Sequence, residues 1–336
     1  MLNVAMMKIQ IIALIVLTCL FAAPLKADDK PIWDANLVEL QSKELAPNVY
    51  AVFEKGTDVT GPQGKAIATS SGFIVGERGI LIVDTMLTPR LYKQLITLVQ
   101  EKSRKPILFA VNTGNHGDHS FGNAWLPEGT RIIQHRATQQ KHLNGLEEEI
   151  SNSVAILGKG RGIEEAKPRP GDLIIEEGQQ LTVNLGDKEV TIKDFSEGVA
   201  GGELYVWLQK ENIIWTGNSV GAEAPALPWL LDDDHKTRLK TMINLHKHVG
   251  KNVTIVPGHG RPTDIGAVIF AESYLKDTVA QVRAGIQKGQ SLKQIQESVK
   301  ASKFKGYELF EFAHFKINLP SIYNTLKGIP HKSSVQ

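Results

Sequence analysis

The stretch Asn112-Thr-Gly-Asn-His-Gly-Asp-His-Ser-Phe-Gly-Asn123 places two imidazoles and a carboxylate, His116, Asp118 and His119, within four residues. It follows directly on the apolar run 107–111, which reads as a buried strand. A strand end can turn the side chains of the loop after it toward one point. Imidazole nitrogen and carboxylate oxygen are donors that zinc accepts. The plain alternative is a polar loop that merely contains two histidines, and the surrounding sequence has to decide between the two.

Upstream of this loop, Val49, Ala51 and Phe53 alternate with polar or small neighbours, as in a strand. Ser71-Gly-Phe-Ile-Val75 and Ile80-Leu-Ile-Val83 flank Glu77-Arg78-Gly79, a hairpin signal, and Asp84 closes the second run. Leu91, Leu95 and Leu98 have helical spacing within residues 89–102. Downstream, residues 131–134 form a short strand. Residues 181–195 give two strands around Gly186-Asp187, and residues 204–208 and 213–215 form a hairpin. A helix over 236–249 precedes a strand over 253–256, which runs into Pro257-Gly258-His259-Gly260. Strand runs closed by single helices, twice over, predict a layered α/β architecture with polar loops at strand ends.

The two ends of the chain differ from this pattern. Lys8 followed by the apolar run 11–23 and Leu25-Lys26-Ala27 reads as a secretory leader, residues 1–27, with a retained anchor as the alternative. Beyond Pro262, residues Val268, Ala271, Leu275, Val279, Val282 and Ile286 follow helical spacing; Gly289 ends that helix, and Ser291 with Gln294 opens the next through a capping box. Residues 28–265 are therefore read as the main domain and 266–336 as a helical extension. Aromatic and apolar residues of the tail, Tyr307, Leu309, Phe310, Phe312 and Phe315, are expected to pack on the core or on another subunit.

Composition narrows the function. Cys19, the single cysteine, lies in the leader, which excludes disulfides and thiolate ligands from the mature chain. Of 38 basic residues the leader holds Lys8 and Lys26, leaving 36 against 36 acidic ones. A balanced, unpatterned charge gives no support for nucleic-acid binding, nor for a membrane surface once the leader is cleaved. The expected location, from the leader, is the periplasm or outside the cell.

The loop at 112–123 resembles the signature of the metallo-β-lactamase superfamily, Asn-Thr-His-x-His-x-Asp-His followed by Gly-Asn. The resemblance extends over most of the mature chain. Residues 71–84 resemble the first motif, with Asp84 a structural carboxylate rather than a ligand. Gly202-Glu203-Leu204 resembles the stretch after the third, Ile214-Trp-Thr-Gly-Asn218 the fourth, and Val256-Pro-Gly-His-Gly260 the fifth. The resemblance implies a four-layer αββα fold, a pair of metal ions and a small-molecule substrate as partner. Three positions depart from it: Gly114 stands where the loop has its first histidine, Val199 where the third motif has one, and Asn218 where the fourth has a bridging aspartate. The first metal position keeps only His116. The second keeps Asp118, His119 and His259, with Asn218 as a weak further ligand and His116 as another candidate. Glu197 and Asp194 are candidates to replace the lost donors.

A two-histidine, one-carboxylate set has the ligand count of a catalytic zinc and also the composition of the non-haem iron triad. One zinc is the expected cofactor, with iron the alternative. Asp118 and His116 are the candidate catalytic residues, His116 as general base or hydrogen-bond donor. Activated water would attack an ester, lactam or related bond. The alternative is an inactive binding or accessory protein on the same scaffold. Of the remaining histidines, His135 is expected to be packed or hydrogen-bonded. His142, His235, His246 and His248 are expected to be solvated or capping, and His314 has no evident partner. Trp229 and Leu230 are expected either to line a pocket or to cover the core.

Overall fold

Strand β2 (Val49–Glu54) shows how this sequence makes two layers at once. Val49, Ala51 and Phe53 face one apolar cluster, while Tyr50 and Val52 face another. A strand buried on both faces belongs to a sheet covered on both sides. The same division holds along β3 (Ser71–Val75) and β4 (Ile80–Val83), where Ile74, Leu81 and Val83 point one way and Phe73, Val75, Ile80 and Ile82 the other. The computed structural model describes residues 31–167, 169–195 and 202–329. The proposed leader, Glu197 and Val199 lie outside these.

The first sheet runs in chain order from β1 (Leu40–Ala46) through β2, β3, β4, β5 (Ile107–Val111) and β6 (Arg131–His135) to β7 (Leu173–Ile175). Its first four strands pair antiparallel, and β4 to β7 pair parallel. The second sheet has the order β12-β11-β10-β9-β8, with β8 (Gln180–Asn184), β9 (Glu189–Lys193), β10 (Tyr205–Leu208) and β11 (Ile213–Gly217) antiparallel and β12 (Thr254–Pro257) parallel to β11. One core lies between the sheets, built from residues such as Ile74, Val83, Val206 and Trp215. Helices α1 (Pro89–Lys102), α2 (Arg136–Asn144) and α3 (Leu146–Leu157) follow strands of the first sheet, and α1 and α3 cover its outer face. Helices α4 (His235–Val249) and α5 (Ile265–Gln287) cover the second through Met242, Leu245, Val268 and Ala271. The layers are therefore αββα, as expected. α2 and α3 are additions to the sequence expectation, since the weak apolar stripe of 136–157 gives little periodicity to read.

The extension continues from α5 through α6 (Leu292–Ser298), a π-helical turn (Phe312–Asn318) and α7 (Leu319–Leu326). The Ser291–Gln294 capping box is present. This segment has its own core of Tyr274, Leu275, Phe304, Phe310, Ile317 and Ile322, and Leu227 and Leu230 from the main domain are part of it. Leu230 covers this core, and Trp229 packs edge-on against Phe312. Among the described residues no helix is long and apolar enough to cross a membrane.

Candidate metal centre

The C-terminal ends of β4, β5, β11 and β12 meet at one edge of the sandwich, and each delivers a polar residue there. After β5 the chain passes through Thr113, whose backbone N–H donates to Asp84 Oδ1 at 2.7 Å and whose hydroxyl donates to Asp84 Oδ2 at 2.7 Å. Asp84 holds a left-handed φ of 56°, a conformation open to Asp and Asn more than to other side chains. β11 closes on the same point through Gly217, where φ is 51° and an added Cβ would stand 2.5 Å from Thr113 Oγ1. Only glycine fits there.

A short helical turn, Gly117–Ser120, then sets the orientation of the loop. His116 precedes it in extended conformation, so the chain reverses between His116 and Asp118. Asp118, His119 and His259 converge, their ligand atoms all lying within 4.8 Å of one another. Asp118 Oδ2 is 3.7 Å from His119 Nε2 and 3.6 Å from His259 Nε2. For ligand bonds of about 2.1 Å, the edge of a tetrahedron is roughly 3.4 Å. The trio is therefore spaced to hold one ion with little movement.

The rings are also oriented for it. His119 Nδ1 donates to Asp84 Oδ2 at 2.8 Å, and His259 Nδ1 donates to the carbonyl of Ile67 at 3.0 Å. Both imidazoles thereby turn Nε2 inward, with the proton fixed on the far nitrogen. His119 Nε2 is buried and has no hydrogen-bond partner, as does Asn218 Oδ1. Two unpartnered acceptors facing one point beside a carboxylate fit the donor set of a cation, since most buried polar groups are paired. Thr69 Oγ1 donates a hydrogen bond to Asp118 Oδ2. Burial works against charge on Asp118, but His119, His259, His116 and the Thr69 hydroxyl outweigh it and hold the carboxyl down at about 2. Burial likewise opposes charge on His119, and Asp118 with Asp84 raises it to about 9. For His259 burial wins and its pKa is lowered.

His116 is directed elsewhere. Its Nε2 lies 2.6 Å from Asp232 Oδ2 and its Nδ1 3.7 Å from Glu149 Oε1. Burial disfavours the imidazolium, yet Asp232, Glu149 and Asp118 raise it to about 10. His116 is therefore not among the groups that converge on Asp118, and of the two roles expected of it, general base or hydrogen-bond donor, its two carboxylate neighbours favour the donor. A second charged group adjoins it. Arg238, 3% exposed, pairs with Asp233 at 2.9 Å and Glu203 at 3.3 Å, and donates to the Asn218 carbonyl at 3.1 Å. With Gly114, Asn115 and Asn218, these two groups line a narrow polar crevice. Burial, with Glu203 and Asp232 nearby, pushes Asp233 up to about 7 against the pull of Arg238.

The residue comparison model for the metallo-β-lactamase superfamily matches residues 64–260. The chain belongs to the metallo-β-lactamase superfamily. Metallo-beta-lactamases type 2 from Bacillus sp. (strain 170) and Bacillus cereus are each 26% identical to it, over 239 and 236 residues, covering 69% of this chain and 81% of theirs. Among solved structures, a stereoselective inverting sec-alkylsulfatase from Pseudomonas sp. superposes with a TM-score of 0.66 at 15% identity, over 90% of this chain. This chain spans about half of that protein, 54%. A metallo-beta-lactamase from Pontibacter korlensis superposes with a TM-score of 0.55 at 16% identity, over 71% of this chain and 100% of its own. The homologues this chain matches are metal-dependent hydrolases, and it carries a candidate His/Asp metal site.

Three other histidines, His142, His235 and His314, differ from expectation, while His135 is packed and hydrogen-bonded as expected. His142 is buried: Gln134 Nε2 donates to its Nδ1 at 2.9 Å, and its Nε2 meets Ser120 Oγ at 2.8 Å. Ser120 in turn donates to the His116 carbonyl at 3.0 Å. His142 therefore buttresses the metal loop, and burial pushes it down to about 4. His235 is buried as well. His135 accepts from Ala137 N at 3.1 Å as the cap of α2. His314 has two partners, Tyr274 Oη at 2.8 Å and the Val299 carbonyl at 2.9 Å. Asp194 accepts from Gly178 N at 3.0 Å and is not in the cluster. Thr69, Ile67, Glu149, Asp232, Asp233 and Arg238 had no role assigned from sequence. Apart from the Asp233–Arg238 pair, five residues apart, their partners lie 20 to nearly 200 residues away, and backbone carbonyls such as that of Ile67 carry no residue-type signal.

Proposed function

We propose that this chain is an exported hydrolase with a single metal ion, zinc by its donor set, held by Asp118, His119 and His259. The observation that carries it is the pair of inward Nε2 atoms around Asp118, each ring fixed from behind by an acceptor. A zinc ion there supplies Lewis acidity and water with a pKa lowered toward roughly 7. The chain's own residues do the rest. Asp84 and Ile67 hold the rings in their tautomers, Thr69 holds Asp118, and His116 offers an N–H beside the loop. Asn218 adds a neutral oxygen, a weak ligand. Iron is the alternative ion for the same trio.

Esters, lactams and related bonds are the substrate class. Sulfate esters join them because the alkylsulfatase shares most of this chain's fold. Export rests on residues 1–27, and a periplasmic or secreted location follows from it; the balanced charge gives no support for a nucleic-acid partner, nor for a membrane one once the leader is cleaved. One observation favours the second reading, a binding protein: the crevice beside Gly114 and Asn218 is filled by paired charges rather than open donors. Turnover separates the two. Zinc-loaded protein should hydrolyse at least one of a carboxyl ester, a lactam, a thioester and a sulfate ester, and His259→Ala should abolish it. Metal bound without turnover of any of the four would establish the binding protein instead.

A further inference from the structure

We infer that the C-terminal extension is a clamp on the metal site, with Glu308 and Asn318 as positioning residues, Glu308 for the loop behind the ligands and Asn318 for the loop behind His116. The inference rests on the single-metal reading for its effect on metal, though the clamp itself is read from contacts.

The first loop is residues 61–70. Glu308 N donates to the Gly64 carbonyl at 2.5 Å, and Ala66 N donates to Glu308 Oε2 at 2.9 Å. The backbones are in close contact: a Cβ on Gly64 would fall 2.1 Å from the Gly306 carbonyl oxygen. One residue past Ala66 is Ile67, whose carbonyl orients His259, and Thr69 two further on bonds Asp118. Two of the three ligands are thus supported from a loop that the extension pins.

The second loop is residues 225–233. Asn318 is fully buried, and its amide reaches both ways along this loop. Leu230 N donates to Asn318 Oδ1 at 3.1 Å, and Asn318 Nδ2 donates to the Pro228 carbonyl at 2.8 Å and to Tyr274 Oη at 3.0 Å. Tyr274 then meets His314 Nδ1, whose other nitrogen meets the Val299 carbonyl. Every member of this chain of donors and acceptors is satisfied, the condition under which a buried polar network fixes one geometry. Leu227 and Leu230 complete the hold by sitting in the extension's core. Two residues beyond Leu230, Asp232 pairs with His116 and with Lys141, and Asp233 pairs with Arg238.

Four variants of the full chain test this: Glu308→Ala, Glu308→Gln, Asn318→Ala and Asn318→Leu. Hydrogen–deuterium exchange should rise in residues 64–70 for Glu308→Ala and in residues 226–233 for both Asn318 variants, with the strands of the first sheet unchanged. Zinc affinity, measured by chelator competition, should fall about tenfold in Glu308→Ala, the low end for loss of a group supporting a ligand. The visible spectrum of the cobalt-substituted protein should shift with it. Glu308→Gln keeps an acceptor for Ala66 N and should restore both. Glu308 is exposed, so its variants fold even if those of the buried Asn318 do not. Wild-type zinc affinity and cobalt spectrum in Glu308→Ala would overturn the clamp. If the wild-type chain binds no metal, the single-metal reading falls, and unchanged exchange in residues 64–70 of Glu308→Ala would then overturn the clamp on its own.

Discussion

Replacing Asp84 by Asn changes one atom and disturbs three hydrogen bonds, those from Thr113 N, Thr113 Oγ1 and His119 Nδ1. The backbone itself is not strained further, because Asn tolerates the left-handed φ of 56° as Asp does. If the amide oxygen stays on Thr113 N, the NH2 faces His119 Nδ1. That ring must then carry its proton on Nε2, pointing into the site where a metal needs a lone pair. If the amide flips, its NH2 meets the Thr113 N–H, and two buried donors oppose each other. Either arrangement costs about 1–3 kcal/mol, since an unsatisfied buried donor loses its solvation. Losing an acceptor behind a ligating histidine weakens metal binding about 10–100-fold, or roughly 1.4–2.8 kcal/mol. Chelator competition with zinc measures the affinity, and thermal melting with a chelator present measures the metal-free fold. A zinc affinity within about threefold of wild type would refute the idea that Asp84 sets the His119 tautomer.

Two further outcomes follow from the buried charges. Arg238→Met leaves the Glu203 and Asp233 carboxylates without their cation and should cost about 3–5 kcal/mol in urea unfolding; adding Glu203→Gln and Asp233→Asn should recover part of it, and a loss below about 1 kcal/mol would contradict the buried-pair account. His142 has a folded pKa of about 4, below its ordinary 6.5, so the unfolded chain takes up its proton first. Its contribution is complete above pH 6.5 and is lost as pH falls toward 4, up to about 3 kcal/mol. Urea unfolding at pH 7 and pH 4.5 should therefore show a steeper loss in wild type than in His142→Gln, and equal slopes would contradict it.

The layered fold and the ligand trio were legible because both rest on local signals. Alternation in Val49-Tyr-Ala-Val-Phe53 gives a strand, and the resemblance of residues 112–123 and 256–260 to the superfamily's motifs implies Asp118, His119 and His259 as a ligand set. His116 stands apart from the trio for a local reason too. Only Gly117 separates it from Asp118, but the extended backbone at His116 and the turn starting at Gly117 send it to Asp232. Thr69, Arg238 and Asn318 could not be read, because what they do depends on partners brought together only by the sheets and by the extension. His142 and His314 looked solvated or unpartnered for the same reason: burial between distant segments leaves no mark on a single polar residue.

The central claim is one metal ion per chain at Asp118, His119 and His259, and elemental analysis of the purified full chain after equilibration with zinc tests it most directly. One equivalent per chain, lost in His259→Ala while the circular dichroism spectrum is unchanged, is the predicted result. Two equivalents, or one retained by His259→Ala, would contradict it.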